Sequence, residues 1–233
     1  MSKIFIPANN PEDWKPLVGP ENWKTGYSAK ALAYCWQEAN GFPECVRGVF
    51  KKSGIRLFQN IELLLAFPEH KVPLPGGRRA SQNDIFILAK RNNQLISITV
   101  EGKVSEPFDK TIAEWKSVKG KGKEIRLKFL CDKLQLDEGQ IDHIRYQLLH
   151  RTASAIIEAE NFNAQNALML VHSFSQFDEG FSDYSKFLAL FGLKEIQPDS
   201  LVGPRNINRI NLYFGWVRGD KKYLSKWWTG DLS

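Results

Sequence analysis

Two neighbouring segments, residues 83–89 and 95–103, give the strongest β-strand signals in the chain, and the second alternates between apolar and polar positions from Ile96 to Glu101, a period of two that is typical of β-strands. The polar segment between them contains Asn92-Asn93, which suits a tight hairpin turn because asparagine tolerates the left-handed backbone that such a turn requires. This turn pairs Ile85 with Val100 and sets Asp84 opposite Glu101. One face of the hairpin is then wholly apolar, made of Ile85, Ile87, Ala89, Ile96, Ile98 and Val100. The other face carries Asp84, Phe86, Leu88, Ser97, Thr99, Glu101 and Lys103.

The rest of the chain shows helical patterns and short apolar runs. Helices are predicted over residues 28–39, with Ser28 as the cap, and over 57–67, 111–118, 123–136, 144–160 and 183–191. Residues 167–174 and 210–217 are predicted as further strands, and 71–79 and 197–208 as connections. An irregular arm is predicted for the first 26 residues, and a basic, tryptophan-rich tail follows the last strand. The order predicts a single α/β domain over residues 1–233.

Composition is that of an ordinary globular protein, with 42% hydrophobic and 25% charged residues. No apolar stretch approaches the roughly 18 to 20 residues of a membrane span, and residues 1–10 lack the apolar core of a secretion signal. We therefore expect a cytoplasmic protein with no membrane partner. Cys35, Cys45 and Cys131 have no C-x-x-C spacing, which fits neither a disulfide framework nor a cysteine-rich zinc site. We expect them to be reduced and packed in the interior.

Nearly the whole net charge of +6 is concentrated in one segment. Between residues 116 and 128, a single acidic residue accompanies six basic ones, Lys116, Lys119, Lys121, Lys123, Arg126 and Lys128. Two interpretations stay open. The segment is either a solvated connection or a loop that contacts nucleic-acid phosphates and positions them without reading sequence.

Candidate chemistry lies at the polar end of the predicted hairpin. Like charges placed directly across a strand pair are destabilising, so Asp84 opposite Glu101 calls for a compensating cation. Carboxylate oxygens are hard ligands that suit Mg²⁺, an ion that also holds substrate phosphates. Lys103, two residues from Glu101 on the same face, can orient an attacking water or neutralise charge that develops on a phosphate.

Asp84, followed at strand spacing by Glu101-Gly102-Lys103, resembles the D…(D/E)-x-K signature of the PD-(D/E)xK nuclease superfamily, which has the restriction-endonuclease-like fold. The resemblance covers about residues 57–174, where the expected order is helix, three-stranded meander, helix, strand. It implies a mixed β-sheet core flanked by helices, with the N-terminal arm and the C-terminal elements as additions. It also implies that Asp84 and Glu101 bind Mg²⁺ or Mn²⁺ and that Lys103 assists attack of water on a phosphodiester. The implied partner is nucleic acid, with DNA favoured over RNA.

The resemblance suggests further site residues and contains one departure. Asn83 stands where the superfamily's name has proline. Many members carry an acidic residue on the first core helix, for which Glu62 is a better match than Glu38, so Glu62 is a third candidate metal ligand. Some carry a glutamine on the helix after the lysine strand, which Gln147 matches, and Arg151 on the same helical face is a candidate phosphate contact. The alternatives are a solvated Glu62 on an amphipathic helix, and a polar stripe at Gln147 and Arg151 that makes structural hydrogen bonds.

Several other enzyme classes lack their key residues. The chain has no H-E-x-x-H, no G-x-x-x-x-G-K-[ST] and no G-x-G-x-x-G between a strand and a helix. His172, within an apolar run, is expected to be a hydrogen-bonded core histidine. The sequence thus predicts a metal-dependent nuclease, and the alternative is a non-catalytic nucleic-acid-binding or protein-interaction module of the same fold. A nuclease would hold metal between Asp84 and Glu101, whereas a module would pair these carboxylates with lysine or arginine. The oligomeric state stays open, a homodimer included.

Overall fold

The computed structural model describes residues 8–225. Its helices are α1 (Lys15–Val18), α2 (Ser28–Ala39), α3 (Glu44–Lys52), α4 (Ile112–Lys116), α5 (Lys121–Leu134), α6 (Tyr146–Asn161) and α7 (Phe181–Ala189). Its strands are β1 (Glu62–Val72), β2 (Ser81–Arg91), β3 (Gln94–Lys103), β4 (Asn166–Ser173), β5 (Ser200–Ile207) and β6 (Ile210–Arg218). No described helix is both long enough and apolar enough to cross a membrane.

The six strands form one mixed sheet in the order β1-β2-β3-β4-β6-β5. β1, β2 and β3 make an antiparallel meander. β4 is parallel to β3, and β6 is parallel to β4, while β5 runs antiparallel at the second edge. Parallel neighbours need a crossover connection, and the helices between β3 and β4 supply it. The predicted α/β class is confirmed, as is the mixed sheet flanked by helices.

The register of the predicted hairpin is confirmed. Arg91 and Gln94 pair on either side of the two-asparagine turn, and Ile85 pairs with Val100. Asn92 has a φ of 52°, the left-handed conformation that the turn requires. The apolar face packs with residues of α2 and α3 into one buried cluster that includes Ile85, Ile87, Ala89, Ile96, Ile98 and Val100. A second cluster, on the side of α5, α6 and α7, includes Leu148, Ile156, Met169 and Phe187.

The prediction of a helix over residues 57–67 is wrong, because β1 begins at Glu62 and continues to Val72. The three consecutive leucines after Glu62 suggested a helical face, and Pro68 suggested its end. β1 is an edge strand, and an edge position tolerates a proline because the missing N–H leaves no central ladder bond unmade. A register shift between Leu63 and Leu65 also breaks the alternation that would have revealed a strand.

Three further elements were not predicted. α1 lies within the predicted irregular arm, and α3 occupies residues 44–52, for which the sequence pattern predicts no element. β5 occupies most of the segment predicted as a connection, and its register shifts between Val202 and Arg205, around Gly203-Pro204. Glycine and proline inside a strand are typical of such irregular edges, so the composition resembled that of a loop. The tryptophan-rich tail after residue 225 and the first seven residues of the predicted arm lie outside the described residues.

Candidate active site

Asp84 and Glu101 lie side by side at one end of the sheet. They are the next residues beyond Ile85 and Val100, the last paired position of β2 and β3. Both line a cavity of about 330 Å³ that also contacts Lys103. The carboxylate of Asp84 is held by the backbone, because the Gly102 N–H donates to Asp84 Oδ2 at 2.7 Å. The structure therefore brings together the three residues of the D…E-x-K pattern.

Glu69 on β1 is a third carboxylate at this site. β1 and β2 pair at Pro68–Ile85 and at His70–Asn83, so Glu69 lies across from Asp84. Its φ of 53° is unusual for a residue other than glycine, and such backbone strain is concentrated at functional positions. The Glu69 side chain lines the same cavity, and Gln82 donates to its Oε2 at 2.6 Å. Sequence reasoning missed Glu69 because β1 was not recognised as a strand.

Glu101 is 3% exposed and makes contacts with three donors. Arg151 Nε donates to Glu101 Oε2 at 2.5 Å. Lys103 Nζ lies 3.0 Å from Oε1, and Gln147 Nε2 donates to the same oxygen at 2.6 Å. Two donors therefore occupy Oε1, whereas Oε2 keeps one lone pair beyond the arginine contact.

Lys103 is held as firmly as Glu101. Its ammonium donates to Gln147 Oε1 at 2.8 Å and to the Pro107 carbonyl at 3.4 Å, and it lies 4.9 Å from the centre of the Phe108 ring. An ammonium has three donors, so Glu101, Gln147 and Pro107 account for all of them. The longest of these contacts, to the Pro107 carbonyl, is the easiest to exchange for a substrate oxygen.

Two of the three carboxylates have raised pKa values, because nearby positive charge does not balance their burial and mutual repulsion. Burial, with repulsion from Glu101 and Glu69, holds the pKa of Asp84 well above its usual range. Burial is also the main cause that raises the pKa of Glu69 to about 7. For Glu101, burial acts in the same direction, but Arg151 and Lys103 outweigh it and lower the pKa. A cation placed next to Asp84 and Glu69 would relieve the cost of ionising them.

The carboxylate oxygens of this site suit a hard divalent cation. Asp84 Oδ1 receives no hydrogen bond from any described residue, and Glu101 Oε2 has a remaining lone pair. Within residues 8–225, the three carboxylates do not form a group whose oxygens all lie within 4.8 Å of one another. Magnesium suits such an arrangement, because it usually keeps several waters and binds only one or two protein carboxylates.

Two residues assigned to the site from sequence have other surroundings. Glu62 is exposed at the start of β1, where its carboxylate lies 3.4 Å from Lys90 Nζ, and the structure does not bring it to the other carboxylates. Arg151 is 7% exposed and faces Glu101, and its Nη1 donates to Ser81 Oγ at 3.3 Å. Gln147 does reach the site, through Lys103 and Glu101.

The basic segment lies at the same end of the sheet as the carboxylates. It extends from the end of α4 into the first turns of α5, a stretch that we call the α4–α5 junction. Gly122 packs so closely on Gly76 that a methyl group at Gly76 would lie 2.0 Å from the Gly122 carbonyl oxygen. Gly76 belongs to the β1–β2 connection, which adjoins the strand ends that carry Glu69 and Asp84. Lys119 and Lys121 are exposed.

The other two candidate lysines of this junction have partners within the chain. Lys116 Nζ lies 2.6 Å from Asp142, and Lys123 donates to the Trp115 carbonyl at 2.6 Å. Lys123 Nζ also lies 5.0 Å from the centre of the Trp115 ring. Of the four lysines, Lys119 and Lys121 are therefore the more accessible to a phosphate backbone.

Comparison with known proteins identifies a family and no further relatives. No curated protein and no solved structure matches the chain significantly. A family model described as "Domain of unknown function (DUF6946)" matches residues 7–221. Because this match covers well over half of the sequence, the chain belongs to that family.

Proposed function

We propose that the protein is a metal-dependent nuclease of the PD-(D/E)xK type, with the restriction-endonuclease-like core formed by α2, β1–β3, α6 and β4. The observation that supports this proposal most strongly is the cavity lined by Glu69, Asp84, Glu101 and Lys103. Raised carboxylate pKa values indicate a site that lacks positive charge and is buried enough for electrostatics to be strong. The order of a helix, an antiparallel meander, a helix and a strand parallel to β3 supports the same assignment.

In this proposal, Asp84 and Glu101 hold Mg²⁺ or Mn²⁺, and Glu69 takes the place that Glu62 was expected to fill. The ion would lower the pKa of a bound water and polarise a phosphoryl oxygen. Lys103 exchanges its contact with the Pro107 carbonyl for a phosphate oxygen and neutralises the charge that develops there. Gln147 is a positioning residue, because it bonds both Lys103 and Glu101 and thereby fixes the distance between them.

Nucleic acid is the proposed substrate, with DNA favoured over RNA. Lys119 and Lys121 are exposed beside the β1–β2 connection, so they can contact the phosphates that flank the scissile bond. Arg151 is not available for this role in the described conformation, since its guanidinium is buried against Glu101. Its proposed role is to keep Glu101 ionised.

The test is cleavage of labelled duplex DNA, single-stranded DNA and RNA with Mg²⁺, with Mn²⁺ and with EDTA. Asp84→Asn, Glu101→Gln and Lys103→Met should each abolish metal-dependent cleavage. Glu62→Gln is the matched control, because it neutralises an exposed carboxylate of the same sheet and should retain activity. Cleavage that persists in EDTA or in Asp84→Asn would overturn the proposal.

One observation favours the non-catalytic alternative. Glu101 is paired with both Lys103 and Arg151, which is the arrangement expected of a structural carboxylate. In that case the protein would bind nucleic acid or another protein through the exposed lysines and cleave nothing. Salt-dependent DNA binding without cleavage under any of these metal conditions would support this second function.

A further inference from the structure

A second cluster of reactive groups lies away from the carboxylates. It joins Cys35 of α2, Cys45 of α3 and His172 of β4, and among the described residues it is the one group of three potential metal ligands with ligand atoms all within 4.8 Å of one another. Cys45 Sγ lies 3.4 Å from His172 Nε2. Cys35 and His172 are buried, whereas Cys45 is partly exposed. Solvent therefore reaches the cluster through Cys45.

Both thiols line a cavity of about 560 Å³, larger than the one at the carboxylates. The charged and titratable groups that face Cys45 come from every element packed around it: Cys35 and Glu38 of α2, Glu44 and Arg47 of α3, His172 of β4, and Asp220, Lys222 and Tyr223 of the C-terminal stretch. A lining of mixed charge suits small polar molecules. The expectation that all three cysteines serve only as packing does not fit Cys45.

A hydrogen bond from Trp36 determines which ring nitrogen of His172 carries the proton. Trp36 Nε1 donates to His172 Nδ1 at 3.1 Å, and an indole nitrogen can only donate. Nδ1 must then be the unprotonated nitrogen of the neutral ring, so Nε2 carries the proton and directs it at Cys45 Sγ. A histidine in this tautomer cannot bind a metal through Nε2, and it cannot take the proton of Cys45 as a general base without losing the Trp36 bond. It is suited to stabilise a thiolate.

The pKa values of the two thiols are shifted in opposite directions. The hydrogen bond from Cys35 lowers the pKa of Cys45 most. Burial opposes this, but the bonds from His172 and the Val46 N–H add to it, so the pKa of Cys45 lies below that of an ordinary thiol. The pKa of Cys35 is raised by the same bond to Cys45 and by burial, so Cys35 stays protonated. The cluster therefore holds one thiolate and one neutral thiol side by side.

We propose that Cys45 is a nucleophilic thiolate that hydroperoxides oxidise, and that Cys35 converts the product into a Cys35–Cys45 disulfide. Cys45 Sγ attacks one peroxide oxygen, the O–O bond breaks, and hydroxide or alkoxide leaves, which gives a sulfenic acid at Cys45. Cys35 Sγ then attacks Cys45 Sγ, the S–O bond breaks, and the departing hydroxide takes the Cys35 proton and leaves as water. A small dithiol returns both thiols through exchange.

The first test measures the rate of iodoacetamide alkylation at each cysteine by peptide mass spectrometry from pH 6 to 8. An ordinary thiol becomes roughly 75-fold more ionised over this range, given a pKa near 8.5. The alkylation rate of Cys45 in the native chain should change by less than twofold over this range, because Cys45 is already ionised. Cys35→Ala should restore a steep pH dependence at Cys45, whereas Cys131→Ala, the matched control on the other side of the sheet, should not. A steep rise at Cys45 in the wild-type chain would overturn the proposal.

The second test treats the native chain with hydrogen peroxide. The wild-type chain should lose two hydrogens and yield a Cys35–Cys45 cross-linked peptide that a dithiol reverses. Cys35→Ala, treated at pH 8, where its Cys45 thiol is partly ionised, should instead stop at a sulfenic acid that dimedone traps at Cys45. Absence of the cross-link from a wild-type chain whose circular dichroism shows it folded would refute the role of Cys35.

Zinc titration distinguishes the competing metal site. With equimolar Zn²⁺, the alkylation rate of Cys45 should fall little, because His172 Nε2 is protonated. Stoichiometric Zn²⁺ binding that protects both cysteines from alkylation would show instead that the cluster is a metal site, and the oxidation proposal would be wrong.

Discussion

Gly102 donates its backbone N–H to Asp84 Oδ2 at 2.7 Å, so the residue between the proposed ligand Glu101 and Lys103 positions the second proposed ligand. A Cβ at residue 102 would lie 3.2 Å from Asp84 Oδ2 and 3.3 Å from Leu32 Cδ2, closer than most carbon contacts. The middle position of the E-x-K sequence is therefore restricted by space as well as by hydrogen bonding. Asp84 and Glu101 are linked through the backbone of β3.

We predict that Gly102→Ala displaces Asp84 and weakens metal binding while leaving the fold intact. The added methyl group must push away either the carboxylate or Leu32, and overpacking of this kind costs about 1 to 3 kcal/mol. Mn²⁺ affinity by isothermal titration calorimetry measures the effect. Gly48→Ala is the matched control, since a Cβ there meets nothing within 4 Å. An unchanged Mn²⁺ affinity in Gly102→Ala would show that Asp84 does not need this contact.

Divalent ions should stabilise the folded chain. A ligand that binds only the folded state contributes about 2.7 kcal/mol at a hundred times its dissociation constant. Thermal melts with Mg²⁺ or Mn²⁺ should therefore show a higher Tm than melts in EDTA, and Asp84→Asn should lose most of the gain. Identical wild-type melts with and without the ion would favour the non-catalytic module.

Stability in the absence of metal should fall as pH rises from about 4.5 to 7. The pKa of Glu69 is about 7 in the folded chain against an ordinary value of 4.5. Between these values the folded state binds more protons than the unfolded state, so the free energy of unfolding decreases with pH. The fall should amount to about 1 to 3 kcal/mol, since one pKa unit corresponds to 1.36 kcal/mol and partial exposure reduces the effect.

Urea unfolding in EDTA across this pH range measures that change. Glu69→Gln has no carboxylate to ionise and should show a flatter profile. Glu62→Gln, at the exposed end of the same strand, should keep the wild-type slope. Parallel profiles for wild type and Glu69→Gln would mean that Glu69 ionises as an ordinary surface carboxylate.

Removal of Arg151 should cost far more stability than removal of the whole ion pair. Arg151→Met leaves the buried Glu101 with Lys103 as its one remaining cation, and removal of one partner of a buried ion pair typically costs about 3 to 5 kcal/mol. The double variant Arg151→Met, Glu101→Gln should recover most of this loss in urea unfolding. A cost below about 1 kcal/mol for the single variant would contradict a structural role for Arg151.

Lys119 and Lys121 should account for much of the salt dependence of DNA binding. Each phosphate contact contributes about 0.9 to the slope of log affinity against log salt, so Lys119→Ala with Lys121→Ala should flatten it by about 2 units. Alanine at all four lysines should flatten the slope by less than two further units, because Lys116 and Lys123 have partners within the chain. Lys51→Ala with Lys52→Ala, on α3, removes the same charge and is the control. Equal slopes for the two double variants would make the junction a solvated connection.

The sequence predicted the centre of the fold better than its edges. The register of the β2–β3 hairpin was predictable to the residue, because the two asparagines fix the turn and the pairing that follows makes one face wholly apolar. β1 and β5 were not, since each has a register shift and contains proline, features that edge strands tolerate and that hide the period of two.

The same difference explains which site residues were predicted. Asp84, Glu101 and Lys103 followed from the hairpin register, and Gln147 from the resemblance to the nuclease superfamily. Glu69 was missed because its strand was missed, and Glu62 was chosen in its place. The closeness of Cys35, Cys45 and His172 depends on the packing of α2 and α3 against β4, which no local pattern encodes.

The most direct test of the central claim is anomalous diffraction from a crystal of the wild-type chain soaked in Mn²⁺. We predict a manganese peak within bonding distance of Asp84 and Glu101, about 2.0 to 2.4 Å from their oxygens, with Glu69 in its surroundings. The same soak of Asp84→Asn should lack the peak. A wild-type map with no manganese at these carboxylates, and with Glu101 still bonded to Arg151 and Lys103, would contradict the account.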